Sequence, residues 1–177
     1  DFGGERIDWY LYLKKNFKNI NYFIFNQEET NNNLIFLKNK YKYQSLNVLK
    51  NFSDIVKINF DFINFGSVIQ YIPDYENILK KLIQNTNRFI YFSATHFFSN
   101  EQEKNHLVVK QVNLLHYRPK LKSYAYFFNF NHFINLFREE KFSIIFKTKN
   151  FTDNINYKNF NKKYGSIQYT DLLLSKN

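Results

Sequence analysis

Strand-like and helix-like segments alternate along the first 94 residues of this 177-residue chain. Apolar runs at Tyr22 to Phe25, at about Asn59 to Phe65 and at residues 88–94 predict strands. The stretch that begins at Pro73 and Asp74 predicts the clearest helix, because its apolar residues recur at helical spacing. Such alternation is typical of a parallel sheet flanked by helices and joined by right-handed crossovers.

The other segments carry weaker patterns. We expect a helix at residues 31–40, a short strand near Tyr41 to Tyr43, and a helix or an extended piece around Leu107 to Leu115. Asn129 or Asn131 is a candidate cap for a short helix that carries Phe133, Ile134 and Phe137 inward. Two terminal runs, residues 142–151 and 165–175, predict strands that pair as a hairpin. The sequence therefore predicts one α/β domain over residues 1–177, with a mostly parallel sheet and an antiparallel C-terminal hairpin.

Four polar turns follow predicted strands, and we expect all four at one edge of the sheet. They are residues 1–4, 26–28, 66–71 and 95–96. Because an open α/β sheet binds its ligand beyond the carboxyl ends of its strands, this edge is the predicted site. The first turn contains Gly3 and Gly4, which let a ligand approach the backbone closely and lead into a helix.

Composition limits the other functions that this chain could have. Its 25 Lys and Arg against 15 Asp and Glu give a formal net charge of +10, but the basic residues occur singly or in pairs such as Lys80 and Lys81. Since residues encoded by AT-rich codons are frequent, we favour codon bias over a functional basic surface for nucleic acid, acidic glycans or anionic membrane. The chain has no Cys, which excludes disulfides and thiolate metal sites, and its four His show no metal-ligand spacing. No apolar run approaches the roughly 20 residues that span a bilayer, and we expect a cytoplasmic protein.

Several stretches resemble a known family. DFGG, FNQ and GSVIQYIPDYENIL resemble the class I, Rossmann-type methyltransferases that use S-adenosylmethionine (SAM). LVVKQV followed by SYAYFFN is similar to a largely uncharacterised bacterial group of methyltransferases associated with surface-polysaccharide gene sets. The resemblance implies a Rossmann-like methyltransferase sheet, SAM as cofactor, and a small molecule or glycan as methyl acceptor. It also implies a hydrophobic strand before the Asp-Phe-Gly-Gly turn, so we expect this first strand to be truncated.

The resemblance also implies which residues form the site. The cofactor-binding positions are Asp1, Gly3, Gly4, Asn26, Gln27, Gly66, Ser67, Gln70 and Tyr71. The acceptor side is formed by Thr95, Gln111 and Tyr124, and the candidate catalytic base is His96, whose imidazole has a pKa suited to proton transfer.

Four positions depart from the pattern of these methyltransferases. Asn26 stands where they have an acidic residue for the ribose hydroxyls, and an amide lacks the charge assistance of a carboxylate. Ala94 replaces a basic residue, and His96 and Ala125 each replace a proline. These departures support an alternative, a methyltransferase-like module that binds a ligand or partner without turnover. An RNA-binding or RNA-methylating domain is a less favoured alternative that depends on charge alone.

Overall fold

The computed structural model describes residues 1–99, 105–113, 121–149, 160, 164 and 167–177. Its helices are α1 (Asp8–Asn16), α2 (Glu28–Tyr41), α3 (Phe52–Ile55), α4 (Tyr75–Gln84) and α5 (Phe130–Arg138), with a short 3-10 helix at Ile69–Tyr71. Its strands are β1 (Tyr22–Phe25), β2 (Leu46–Leu49), β3 (Phe60–Gly66), β4 (Thr86–Phe98), β5 (His106–Asn113), β6 (Leu121–Asn129), β7 (Phe142–Lys149) and β8 (Ile167–Lys176).

The strands form one continuous arrangement around the first residues of the chain. β1 pairs with β2, β3 with β4, and the end of β4 with β6, all in parallel. Phe2 makes parallel bridges to both Phe25 of β1 and Phe65 of β3, so residues 1–3 lie between these two strands. β8 pairs antiparallel with β4 and β7, and β5 pairs antiparallel with β6. The strand order therefore reverses at the Asp-Phe-Gly-Gly turn, which is where such sheets bind ligands.

The structure confirms the α/β class and corrects the predicted sheet. The sheet is mixed rather than mostly parallel, because β5 and β6 form an antiparallel pair that the sequence pattern did not resolve. The piece predicted around Leu107 to Leu115 is extended within the described residues, as β5. The terminal strands pair antiparallel as predicted, whereas the polar loop between them lies mostly outside the described residues. That the chain is a single domain stays a prediction.

The strand predicted near Tyr41 to Tyr43 is wrong. Tyr41 ends α2, and Lys42 takes a left-handed conformation with φ of 54° that caps this helix. Tyr43 then packs against Tyr10 of α1 with 5.3 Å between ring centroids, and the strand itself begins at Leu46. The apolar character of this tyrosine pair therefore reflects packing against α1 and not strand formation.

Two apolar layers hold the sheet between its helices. On one face, the buried side chains of Tyr22 and Ile24 pack with Tyr10 of α1 and Leu34 of α2. On the other face, α4 and α5 cover the sheet. Their buried residues include Phe133, Ile134 and Phe137, as predicted, together with Leu79, Leu82 and Ile83. Asn129 caps α5 by accepting a hydrogen bond from the His132 main-chain N–H at 3.2 Å. Among the helices that the structure describes, none is long and apolar enough to cross a membrane.

Candidate functional site

The glycine turn is held against the turn that follows β3. Gly3 has a φ of +79°, and a Cβ at this position would lie 2.7 Å from the Cβ of Val68. Its main-chain N–H donates to the Phe25 carbonyl oxygen at 2.8 Å. A side chain at Gly3 would therefore be strained by both φ and contact. At Gly66 an added Cβ would meet only the Asn64 Nδ2 at 3.7 Å, so this second predicted glycine has no comparable constraint.

Asn26 joins the glycine turn to the start of α2. Its Nδ2 donates to the Gly4 carbonyl oxygen at 2.9 Å, and its Oδ1 accepts from the Gln27 main-chain N–H at 2.7 Å. An amide offers two donor hydrogens and two acceptor lone pairs, so each end of the Asn26 side chain retains one hydrogen-bonding position. Gln27 is exposed beside it, at the N-cap of α2.

The Asp1 carboxylate is bonded inside the sheet edge. Its Oδ2 accepts from the Tyr22 hydroxyl at 3.0 Å, and its Oδ1 accepts from Asn64 Nδ2 at 2.9 Å. A Cβ added at Gly4 would lie 2.7 Å from the Asp1 Cγ, so Gly4 also has to be glycine for this arrangement. The carboxylate therefore positions the turn through β1 and β3, and direct contact between Asp1 and a cofactor stays a prediction.

Asn31 is a structural residue of this edge that sequence reasoning missed. It is 2% exposed, and its Nδ2 donates to the carbonyl oxygens of Asn26 at 2.9 Å and Leu49 at 3.1 Å. These bonds fasten the ends of β1 and β2 to the first turn of α2. The only sequence signal was a run of Asn in a predicted helix, where a buried polar residue is uncommon.

The 3-10 helix after β3 is fastened to β4 by Gln70. This residue is 1% exposed, and its Nε2 donates to the main-chain oxygen and the Oγ of Ser67 at 3.1 Å each and to the Ala94 carbonyl oxygen at 3.4 Å. Its Oε1 is buried and has no hydrogen-bond donor among the described residues. A buried acceptor in this state costs about 1–3 kcal/mol unless a donor reaches it.

β4 is interrupted where it meets Gln70. The register between β4 and β8 shifts between Phe92 and Thr95, and Ala94 takes a left-handed conformation with φ of 50°. The Ala94 main-chain N–H donates to the Asp171 Oδ1 at 2.7 Å, which stabilises this bulge from β8. Asp171 was not predicted, although it is the one acidic residue in the apolar run 167–175.

Thr95 and His96 lie within β4, so the turn predicted at these residues is wrong. Thr95 is fully buried and its hydroxyl donates to the Ser93 carbonyl oxygen at 3.2 Å. His96 is 2% exposed, and its ring stacks on Phe127 with 4.3 Å between centroids. Burial lowers the pKa of His96 to about 4, so its imidazole is neutral at pH 7. Its role as a catalytic base stays a prediction, and enclosure in the sheet does not favour that role.

Of the residues predicted for the acceptor side, Gln111 lies beside Tyr71, whereas Tyr124 lies apart from both. The Tyr71 hydroxyl donates to the Gln111 Oε1 at 3.0 Å, and the Ser123 hydroxyl donates to the same oxygen at 3.4 Å. Burial is the main cause that raises the pKa of Tyr71, so this phenol remains protonated at neutral pH. Tyr124 is 64% exposed and lies on the opposite face of β6 from Ser123, because side chains alternate along a strand. The structure therefore brings Tyr71 and Gln111 together but separates Tyr124 from them.

The fold of this chain is similar to that of several solved protein structures. No family model and no curated protein matches the sequence. Solved structures do match. A SAM-dependent methyltransferase from Clostridium acetobutylicum ATCC 824 has a TM-score of 0.57 and 12% identity over 100% of this chain and 82% of its own. The StiE O-MT, residues 961–1257, has a TM-score of 0.65 and 10% identity over 100% of this chain and 66% of its own.

A third matching structure was determined in the presence of the product that SAM leaves after methyl transfer. The N-terminal domain of EvdMO1, crystallised in the presence of S-adenosylhomocysteine (SAH) and D-fucose, has a TM-score of 0.55 and 9% identity over 88% of this chain. This chain spans 65% of the length of that domain. At such low identities the likeness concerns the fold. The comparison therefore shows that this chain has the α/β fold of these SAM-dependent methyltransferases.

Proposed function

We propose that this protein binds SAM at the carboxyl edge of its sheet and transfers the methyl group to a small molecule or a glycan. The observation that carries the proposal is the glycine turn, in which Gly3 and Gly4 have no room for side chains and the turn lies at the point where the strand order reverses. Proteins of this fold have been crystallised with SAH at 6% and 11% identity to this chain, so binding by this chain is our inference.

The residues at the edge fit such a cofactor in three respects. The backbone of Gly3 and Gly4 is open to close approach, and Asn26 retains hydrogen-bonding positions suited to hydroxyl groups. Gln70 holds a buried acceptor that has no donor among the residues that the structure describes. Gly66 and Ser67 form the neighbouring turn, held by Gln70. When bound, SAM supplies a sulfonium-activated methyl group, so the task of the protein is mainly to orient the acceptor.

For the acceptor, we propose the surface around Tyr71 and Gln111. Both Tyr71 and Ser123 donate to the Gln111 Oε1, which leaves the two N–H donors of Gln111 for an incoming oxygen. A protonated tyrosine and an amide recognise hydroxyl groups, which agrees with a sugar or another hydroxylated small molecule. The structure of the EvdMO1 domain in the presence of D-fucose supports a sugar acceptor, and a surface-polysaccharide glycan remains our narrower proposal.

Calorimetric titration of SAM tests the cofactor proposal. We expect the wild-type protein to bind SAM and Gly3→Ala to lose binding, because the added Cβ would collide with Val68. Lys80→Ala is the control, since it changes an exposed side chain of α4 that the proposed site does not use, and it should bind as the wild type does. Circular dichroism of all three proteins establishes that each is folded. A folded wild-type protein that does not bind SAM would contradict the proposal, as would equal binding by Gly3→Ala.

A second candidate function is ligand binding without methyl transfer. It is favoured by the enclosure of His96 and by the raised pKa of Tyr71, since neither side chain then accepts a proton from an acceptor at neutral pH. Incubation with labelled SAM and a panel of monosaccharides and nucleotide sugars separates the two candidates. Formation of SAH that depends on acceptor and decreases in Gln111→Ala supports the enzyme. SAM binding without SAH formation on any acceptor of the panel supports the binding module.

We further propose that the space between β1 and β3 takes an extended strand parallel to both. The α-amino group of Asp1 donates to the Phe23 carbonyl oxygen at 2.7 Å and the Phe2 N–H donates to that of Asn64 at 2.8 Å, which is the alternation of a parallel strand. Beside Asp1, a cavity of about 520 Å³ continues between the two strands. An apolar segment fused before Asp1 should raise the melting temperature, whereas a polar segment of equal length should not. Equal effects of the two segments would contradict this proposal.

The proposed location of the protein is the cytoplasm. The absence of Cys from the sequence agrees with a reducing compartment. Fractionation of cells that express the full-length protein tests this location.

A further inference from the structure

The outer surfaces of α1 and α2 carry aromatic rings and lysines that the proposed methyl transfer does not use. Phe36 is 63% exposed and Tyr41 is 52% exposed, both on α2. Around them lie Lys14 near the end of α1, Lys40 near the end of α2, and Tyr43, two residues beyond that end. We call these five residues, Lys14, Phe36, Lys40, Tyr41 and Tyr43, the aromatic–lysine face.

Contacts between these residues make the face continuous across the two helices. Tyr41 and Tyr43 stack with 5.7 Å between ring centroids. The Lys14 Nζ lies 5.5 Å from the centroid of Tyr43, and the Lys40 Nζ lies 5.8 Å from that of Phe36 and 5.4 Å from that of Tyr41. Cation–π attraction therefore keeps the two ammonium groups next to the rings, so the face exposes positive charge and apolar surface side by side.

The charge around the face has one sign. Residues 9–27 and 30–53 contain no Asp or Glu, and they contain seven lysines: Lys14, Lys15, Lys18, Lys38, Lys40, Lys42 and Lys50. The acidic residues of α1 and α2 lie in their first turns, at Asp8, Glu28 and Glu29, at the opposite ends of the helices. The last turns of both helices are therefore uniformly positive, although the sequence as a whole distributes its basic residues widely.

We propose that the aromatic–lysine face docks on an anionic phospholipid bilayer. Aromatic rings on a protein surface insert at the headgroup level of a bilayer, and clusters of about four to eight lysines bind anionic lipid headgroups. Each lysine near such a surface adds electrostatic attraction, and the rings add buried apolar area. Single-stranded nucleic acid is the other polyanion that rings and lysines recognise, but it is bound in grooves that follow its backbone. Phe36 and Tyr41 lie instead on the outside of a helix, which favours the bilayer.

Co-sedimentation of the whole protein with vesicles tests this proposal. We expect it to sediment with vesicles of phosphatidylserine and phosphatidylcholine but not with vesicles of phosphatidylcholine alone. Lys14→Gln combined with Lys40→Gln should lower the partition coefficient by about 30-fold, and Phe36→Ser should lower it by about tenfold. The matched controls are Lys80→Gln combined with Lys149→Gln, and Phe146→Ser, which change exposed residues elsewhere and should leave binding unchanged.

Three results would overturn the proposal. The first is a folded wild-type protein that does not sediment with the anionic vesicles. The second is a loss of binding in the control variants as large as in the face variants. The third is binding of single-stranded oligouridylate, with the same dependence on Phe36 and Lys40, by a protein that does not bind vesicles. None of these results bears on SAM binding, so the proposed function is tested separately.

Discussion

Asn26 and Gly4 are joined by a hydrogen bond of 2.9 Å from the side-chain amide of Asn26 to the main-chain oxygen of Gly4. A carboxylate at position 26 could not donate this bond. The Asn26 amide is therefore part of the turn itself. An acidic residue at this position would lose the hydrogen bond to Gly4, but its negative charge would strengthen hydrogen bonds from ribose hydroxyls. This relationship gives Asn26 a structural role in the glycine turn.

Asn26→Asp is expected to lower the free energy of unfolding by about 1 kcal/mol, because one hydrogen bond is lost and two oxygens come to face each other. For a chain of this length, the melting temperature should fall by about 2–4 °C. Gln27→Glu is the control, since it introduces the same charge one residue further on, at an exposed side chain. Thermal denaturation followed by circular dichroism measures both. An unchanged melting temperature in Asn26→Asp would show that the bond contributes nothing to stability.

His96 should make the protein less stable in weak acid. Burial lowers its folded pKa to about 4, whereas the unfolded value is about 6.5, so the unfolded chain binds the proton more tightly between these pH values. Stability is therefore present above pH 6.5 and is lost as the pH falls toward 4. The loss between pH 7 and pH 5 should be about 2 kcal/mol from this residue.

His96→Phe provides the comparison, because a phenyl ring can still stack on Phe127 but does not titrate. Urea denaturation at pH 7 and pH 5 should show a smaller loss of stability in the variant than in the wild type. Equal losses in the two proteins would mean that His96 does not have a lowered pKa.

Asp171 should matter for stability because it holds the bulge of β4. Asp171→Ala removes the acceptor of the Ala94 main-chain N–H and should lower the free energy of unfolding by about 2 kcal/mol. Asp171→Asn keeps an acceptor oxygen at the same place and should recover at least half of this loss. Chemical denaturation of the three proteins tests the order. Identical values for Asp171→Ala and Asp171→Asn would assign the effect to packing and not to this hydrogen bond.

Strong apolar periodicity made much of the fold predictable. The strand at Tyr22–Phe25, the helix that follows Asp74, and the inward residues of α5 all appear where the pattern predicts them. Local signals failed where the structure of a segment depends on distant neighbours. β6 was missed, and Tyr43 suggested a strand although it packs on α1.

The candidate site was likewise predictable only in part. The glycine turn and the polar ends of β1 and β3 were visible in the sequence, because only glycine and short polar residues suit such backbone conformations. The roles of Asn31 and Asp171 could not be predicted from the sequence. Asn31 donates to a carbonyl oxygen 18 residues away along the chain, and Asp171 accepts from a main-chain amide 77 residues away. The assignment of His96 to a turn failed because β4 extends past a bulge to Phe98.

The sequence by itself therefore determined the α/β class and the glycine turn, since both arise from local periodicity and backbone freedom. Only the tertiary structure decided that the sheet is mixed, that residues 1–3 lie between β1 and β3, and that His96 is enclosed by aromatic rings. These features depend on which distant strands share hydrogen bonds and on which side chains exclude water. Each strand could pair with several other apolar segments. Which pairs form depends on the whole set of contacts, so no short stretch of sequence specifies them alone.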